Sequence, residues 1–369
     1  MARVLVLTPS FITAASGAQV PAVVDLFRAV AQRHELEIHL VSPEGQRGGH
    51  LELEGLVLHP HGSGRGERLL HLLASALSRS PFDVIWALWL RRTAPYALAL
   101  QASLQKPLVT SVIGGEVSDL PEVGYGEAGT QLGRRLVEAL LRRSARITVG
   151  SPWLAAELRR RQPAFGPKII EAPFGVPTLP RRGEGPWSGG PLRLLAVTRV
   201  EPVKDPDLLL GAVAQLHHQG LDVSMEIYGY TQNNDLGWLA EQSQRLGLGQ
   251  RVRHRGLVRP EVLRAAYPRY HALVHSSRHE SQGLALIEAA VVGLPIATTK
   301  VGVAPELVEL GATVELAERD PASLARAIEA AVVRPGGEPQ RILERYGMAA
   351  ATRQFERALE EAASSKDRR

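Results

Sequence analysis

The chain has 369 residues, 44% of them hydrophobic, with 43 Lys and Arg against 38 Asp and Glu and no cysteine. That length and mixture is expected of a globular chain of about two domains rather than a disordered one. The missing cysteine excludes disulfides, thiolate zinc sites and thiol nucleophiles, and makes the cytoplasm the expected compartment.

At the start of the chain only residues 4–7 form an apolar run behind Arg3, too few for a signal-peptide core, and no uncharged apolar run approaches the ~18 residues of a bilayer span. The expectation is a chain neither exported by that route nor spanning a membrane. Five short segments rich in apolar and β-branched residues follow in the first half: "RVLVL" (3–7), "LEIHLV" (36–41), "DVIWAL" (83–88), "PLVTSVI" (107–113) and "ARITVG" (145–150). Helix-length stretches separate them, which predicts a parallel sheet covered on both faces. After the first strand, "TPSFITAASGAQV" carries Ser16, Gly17 and Ala18, small enough for a ligand to approach the backbone, but lacks the three spaced glycines of a dinucleotide fingerprint. An ordinary βα loop turning on Gly17 is the alternative.

The first half also holds the charge excess. Residues 1–175 carry 19 Lys and Arg against 15 Asp and Glu, and the remainder 24 against 23. Within it, "GRRLVEALLRRSAR" (133–146), wound as a helix, puts Arg134, Arg135, Arg142 and Arg146 on one arc and Leu136, Val137, Leu140 and Leu141 on another. A core-facing helix with a solvated face is the plain reading. A peripheral contact with anionic membrane through the first domain, at the inner face, is the other. Nucleic acid is not an expected partner, because no binding motif or aromatic platform is present.

"PTLPRRGEGPWSGGP" (177–191) has no period and reads as the linker between domains 1–176 and 192–345. The alternation then resumes with "LRLLAVT" (192–198), "VSMEIYG" (223–229), "RVRHRG" (251–256), "HALVHS" (271–276) and "LPIATT" (294–299), ending in a helical tail from about residue 339. The expected fold class is therefore α/β, with two doubly wound, Rossmann-like parallel sheets facing a ligand cleft, and a C-terminal helix over 346–369 packing back toward the first domain. Sheets of this kind bind ligands beyond the carboxyl ends of their strands.

Two such places stand out in the second half. Arg199 and Lys204 follow "LRLLAVT", where a forked guanidinium and a point-charge ammonium could clamp a diphosphate; surface pairing with Glu201 and Asp205 is the alternative. "HESQGLALIEAA" (279–290) reads as a strand-end loop running into a helix. Glu280 and Glu288 flank Gly283, where free backbone N–H groups at a helix N-terminus suit phosphate. Glu288 falls close to the apolar stripe and needs a partner, which an internal Arg could supply. His217, His218, His271 and His275 read as structural, with no metal-ligand spacing among them. Trp86 and Trp89 read as core or cleft wall.

Taken together, Gly229 and Gly256 closing strands and the block "HALVHSSRHESQGLALIEAAVVGLPIATTKVGVAPELV" resemble the second domain of retaining GT-B glycosyltransferases of family 4, with their Glu-x7-Glu motif. "RVLVLTPSF", "GGEVSDLPEVGYG" and "FGVPT" resemble the first domain more loosely. The resemblance implies a nucleotide-diphosphate-sugar donor, an acceptor hydroxyl whose identity the sequence does not give, retained anomeric configuration, and no metal or other cofactor. It implies that Arg199 and Lys204 hold the donor diphosphate and stabilise its departing charge, that Glu280 binds sugar hydroxyls and Glu288 ribose hydroxyls, and that Gln282, Gly283 and Leu284 meet the sugar and phosphate through their backbone. Gly17 would let the first-domain loop close over the ligand. Glu306, in "GVAPELV", matches a recurrent family acid. Departures are Ile113 where relatives carry His, with Glu116 or Asp119 as candidate substitutes, and Ser16, Thr198 and Phe174 at frequent Gly, Gly and Asn positions. A GT-B epimerase or phosphorylase, and a silent sugar-nucleotide binder, are the competing classes.

Overall fold

A computed structural model describes residues 1–9, 21–41, 51–53, 55–61, 64–79, 81–126, 130–183, 185–231 and 233–365. The chain runs β1 (Arg3–Thr8), α1 (Pro21–Val30), β2 (Glu35–Leu40), β3 (Leu51–Leu53), β4 (Leu56–Pro60), α2 (Arg65–Arg79), β5 (Val84–Leu88), α3 (Leu90–Leu104) and β6 (Leu108–Val112). The two-residue strands β7 (Asp119–Leu120) and β8 (Tyr125–Gly126) precede α4 (Gln131–Arg143), β9 (Arg146–Val149), α5 (Pro152–Arg161) and β10 (Ile169–Glu171). Next come β11 (Leu192–Val197), α6 (Pro206–His218), β12 (Val223–Tyr228), α7 (Asn233–Arg245), β13 (Val252–Gly256), α8 (Pro260–Ala266), β14 (Ala272–His275) and α9 (Leu284–Val292). β15 (Ile296–Thr299), α10 (Ala304–Glu309), β16 (Val314–Ala317), α11 (Pro321–Val332), α12 (Pro339–Tyr346) and α13 (Met348–Ser364) complete it.

Two compact units result, one of residues 1–175 with 348–369 and one of residues 176–347. The Pro- and Gly-rich 177–191, expected to be a linker, lies wholly in the second unit. Its Arg182 N–H donates to Val292 O and its Trp187 N–H to Val332 O, both at 2.8 Å, and Leu179 is buried. A segment without helical or strand period still packs when neighbouring elements accept its backbone donors.

In the first unit the strand order is β10-β9-β6-β5-β1-β2-β4-β3, all parallel except β3. The chain winds outward from β1 through β2 and β4, then returns to β5 beside β1. The ten predicted strands of the two units all form, most within a residue or two of their expected bounds, because continuous β-branched and apolar runs suit strands buried on both faces. The short strands β3, β4, β10 and β16, all but β4 at sheet edges, escape the pattern. Caps fix helix starts: Thr130 Oγ1 accepts from Gly133 N at 3.1 Å for α4, and Ser151 Oγ from Leu154 N at 3.1 Å for α5, with Pro152 at the first helical position.

The arginine arc expected over 133–146 is divided. Helix α4 ends at Arg143, and Arg146 lies in β9. Val137, Leu140 and Leu141 are buried, as a core-facing helix requires. Helix α13 belongs to the first unit, where Ala351, Phe355, Ala358, Leu359 and Ala362 bury one stripe. Phe355 approaches Trp86 with ring centroids 5.4 Å apart and Phe174 at 5.9 Å. Trp86 is fully buried, its Nε1 donating to Ser111 Oγ at 2.8 Å, so it is a core residue.

The second unit has the order β13-β12-β11-β14-β15-β16, all parallel. Here too the winding reverses, from β13 back to β14 beside β11. The loops that leave β11 and β14 at their carboxyl ends therefore flank the topological switch point, where ligands of open α/β sheets bind.

Candidate active site at the switch point of the second unit

Those two loops carry Arg199, Lys204 and Glu280. The strand end is shaped by Gly229, whose φ is 152° and whose added Cβ would lie 2.1 Å from Thr198 O. Only a glycine lets the ends of β11 and β12 approach that closely. Beyond β11 a 3-10 turn over Pro202–Lys204 presents Lys204, and Asp205, with φ 51°, turns the chain into α6. Asp205 does not pair with Lys204. Its buried carboxylate takes Arg278 at 3.0 Å and Arg319 at 2.9 Å, tying together the loops after β11, β14 and β16.

Lys204 Nζ instead meets Glu280 Oε1 at 2.5 Å. The same oxygen receives Ser277 Oγ at 2.8 Å and lies 3.0 Å from His275 Nε2. His275, read from the sequence as structural, is thus part of the site, whereas His271 accepts from Arg193 N at 2.9 Å and is structural. Burial of Glu280 pushes its carboxyl up, but the Lys204 ammonium and His275 outweigh burial and hold it far below the usual carboxylate range. Glu280 is therefore ionised at neutral pH. Three donors converge on Oε1, while Oε2 takes no hydrogen bond or ion pair among the described residues.

Arg199, half exposed, pairs with Glu201 at 2.9 Å, the surface pairing weighed as its alternative. Exposed pairs of this kind contribute under ~1 kcal/mol and give way readily to a better anion. Gln282 is buried, with its backbone oxygen accepting from Val303 N at 2.8 Å. Gly302 packs on that same oxygen, where an added Cβ would sit 2.2 Å away. Gly283, with φ 94°, caps α9, and Leu284 begins it. Gly283 O already accepts the N–H groups of Leu286 and Ile287, leaving those of Leu284 and Ala285 as first-turn donors without an intrahelical partner.

Glu288 has the internal arginine that the sequence left as its alternative. Arg264 Nε is 3.1 Å from Oε1, and Tyr267 O–H donates to Oε2 at 2.9 Å. Burial, then the Glu288 charge, raise the Tyr267 hydroxyl well above its ordinary value, so it remains a donor. The Glu288 side chain stays 13% exposed. No helical or strand period announces Arg264 and Tyr267; only the packing of α8 and the turn after it against α9 brings them there. Glu306 is tied to α12 through Arg345 Nε at 2.8 Å and the Tyr346 hydroxyl, a structural bond within the unit.

In the first unit Glu116 is buried, and its Oε2 accepts from Gly114 N at 2.6 Å. Burial pushes this carboxyl up, against the pull of surrounding backbone N–H groups. Asp119 is exposed on β7, and Ile113 is half-buried. Gly17 and Ser16 lie outside the described residues. Among the described residues no group of three His, Asp or Glu side chains is placed to hold a metal ion, and no helix is long and apolar enough to cross a membrane.

Residues 181–348 match the family model described as "Glycosyl transferases group 1". That match falls on the second unit, the part of the chain that resembles the glycosyl transferases group 1 family. The chain is 32% identical to a D-inositol 3-phosphate glycosyltransferase of Streptomyces avermitilis over 202 residues, which are 53% of this chain and 40% of the relative. The chain thus spans about two fifths of the curated relatives it matches. Over the whole fold the chain resembles sucrose-phosphate synthase of Thermosynechococcus elongatus, with a TM-score of 0.82 at 19% identity, covering 99% of this chain and 100% of that one. It also resembles an Anabaena protein solved with UDP-glucose, with a TM-score of 0.73 at 16% identity, covering 98% and 100%. Two α/β units, each built on a largely parallel sheet, are the elements of the GT-B fold.

Proposed function

We propose that the protein is a retaining, metal-independent glycosyltransferase that moves a sugar from a nucleotide-diphosphate donor to an acceptor hydroxyl. The observation that carries this reading is the asymmetry of Glu280. One oxygen is fixed by Lys204, His275 and Ser277, and the other is left to accept from a sugar hydroxyl at the switch point. Lys204 spends one N–H on Glu280 and keeps the others for a phosphate oxygen. Arg199 exchanges Glu201 for the diphosphate, and the N–H groups that open α9 add their dipoles. The Anabaena protein of the same fold was solved with UDP-glucose, a donor of this chemical class.

In the transfer, the bond between the anomeric carbon and the diphosphate oxygen breaks while the acceptor oxygen bonds the same face. The acceptor proton passes to the departing phosphate oxygen. Lys204 and Arg199 stabilise the negative charge that develops on that oxygen, which is the service a divalent ion performs elsewhere. Glu288 uses two of its roughly four lone-pair positions on Arg264 and Tyr267, and the others remain for ribose hydroxyls.

A melting-temperature screen against UDP-, GDP-, ADP- and CMP-sugars identifies the donor. A ligand at about 100 times its Kd stabilises the fold by about 2.7 kcal/mol. The shift is expected with one donor class and is lost in both Arg199→Ala and Lys204→Ala. Donor affinity unchanged in both variants would overturn the site assignment. Release of nucleoside diphosphate only when acceptor is present separates transfer from epimerisation and from silent binding.

A further inference from the structure

A cavity of 750 Å3 lies at the opposite edge of the first unit's sheet, away from the strands' carboxyl ends. Pro107, Ala145 and Lys168 line it, each immediately before a strand, and β6, β9 and β10 are adjacent in the sheet. Lys106, Arg142, Arg143, Arg146 and Lys168 surround it, and no acidic residue lines it.

Part of this charge has a local explanation. The cavity sits where α3 and α4 end, and cations favour helix C-termini. Lys168 Nζ donates to Arg142 O at 2.7 Å, and Gln101 Nε2 to Arg143 O at 3.3 Å. Two acids from outside the lining offset two of the cations: Glu138 pairs with Arg142 at 2.6 Å and Glu361 with Arg146 at 2.7 Å. Lys106 and the Arg143 guanidinium have no partner among the described residues.

We propose that this cavity binds a soluble small molecule bearing clustered phosphate groups, at a site separate from the donor's. Its volume lies within the ~300–1,000 Å3 of small-molecule pockets. Guanidinium forks and ammonium groups together suit phosphate oxygens. The lining contains no aromatic side chain on which nucleic-acid bases could stack. Its apolar members are alanine and proline, which supply none of the large side chains that seat a helix in a lipid surface.

The test is calorimetric titration of the full chain with sodium tripolyphosphate at low ionic strength. Two double variants separate the sites. The Lys106→Glu, Arg143→Glu chain is expected to lose at least about tenfold in affinity, equivalent to about 1.4 kcal/mol. The Arg199→Ala, Lys204→Ala chain is expected to keep tripolyphosphate binding at the cavity. The milder Arg143→Gln, with an unliganded melting temperature equal to that of the parent, guards against a folding defect and is expected to weaken binding in part. Tripolyphosphate affinity that survives the first pair, or that vanishes with the second pair alone, overturns the proposal. A membrane origin for the charge is read out by cosedimentation with vesicles of equal parts phosphatidylcholine and phosphatidylglycerol. Equal cosedimentation of the parent and the Lys106→Glu, Arg143→Glu chain is expected. Loss of vesicle binding in that variant, with no tripolyphosphate bound by the parent, overturns it as well.

Discussion

At the scale of single residues, close backbone approach decides more than charge does. Gly229 holds a left-handed backbone against Thr198 O, and no side chain fits there without moving β11 away from β12. Gly229→Ala is expected to destabilise the second unit by about 1–3 kcal/mol, since it combines steric overlap with unfavourable φ. It should also weaken donor binding through displacement of Arg199, and chemical denaturation beside a donor titration measures both. An unchanged denaturation midpoint would refute the close approach. The sequence marked Gly229 as a strand-closing glycine through family resemblance, and marked Arg199, Lys204 and Glu280 by their place after strands. It did not show that Lys204 and Glu280 touch, or that His275 joins them. Residues 204 and 275–280 lie some seventy positions apart, and no local period links them.

At the scale of elements, alternation and punctuation were readable where both faces of a strand are buried or a cap is present. Helix α9 ends at Gly293 with φ 78°, a left-handed stop that favours glycine. Readability failed at the short strands β3, β4, β10 and β16, of three to five residues, and at 177–191, where irregular chain packs onto α9 and α11 through backbone bonds. The helix read over 133–146 overlapped the strand read over 145–150, and the extended backbone of Ser144 ends α4 before Arg146 enters β9. Helix α13 depends on a few large contacts. Phe355 fills space between Trp86 and Phe174, so Phe355→Ala is expected to destabilise the first unit by about 3–5 kcal/mol. Thermal unfolding followed by near-ultraviolet circular dichroism of the tryptophans checks this, and a melting point equal to the parent's would show that α13 is dispensable there.

At the scale of the molecule, the second unit is one continuous stretch, residues 176–347, whereas the first is closed by residues returning from the far end of the chain. Each unit has its own buried cluster. A fragment of residues 176–347 is therefore expected to fold cooperatively and to bind the donor through its diphosphate. A fragment of residues 1–175 lacks α13 and is expected to expose Trp86 and aggregate. Expression of the two fragments, with a melt and a donor titration of each, tests the division, and cooperative folding of 1–175 alone would contradict it.

By itself the sequence determined the α/β class, two parallel sheets, ten of their strands and the loops in which a donor site could form. Hydrophobic period and strand-end position are local properties, and a chain read in order displays them. Tertiary structure alone decided that Lys204 and His275 fix one oxygen of Glu280, and that Arg264 and Tyr267 hold Glu288. It also decided that Asp205 pairs with two distant arginines, and that five cations gather at the starts of three adjacent strands. Apart from His275 and Glu280, which are five positions apart, each of these is a contact between segments more than twenty positions apart in the chain. Its partners are selected by strand order and by the desolvation cost of leaving a charge unpaired, neither of which is written in any local pattern.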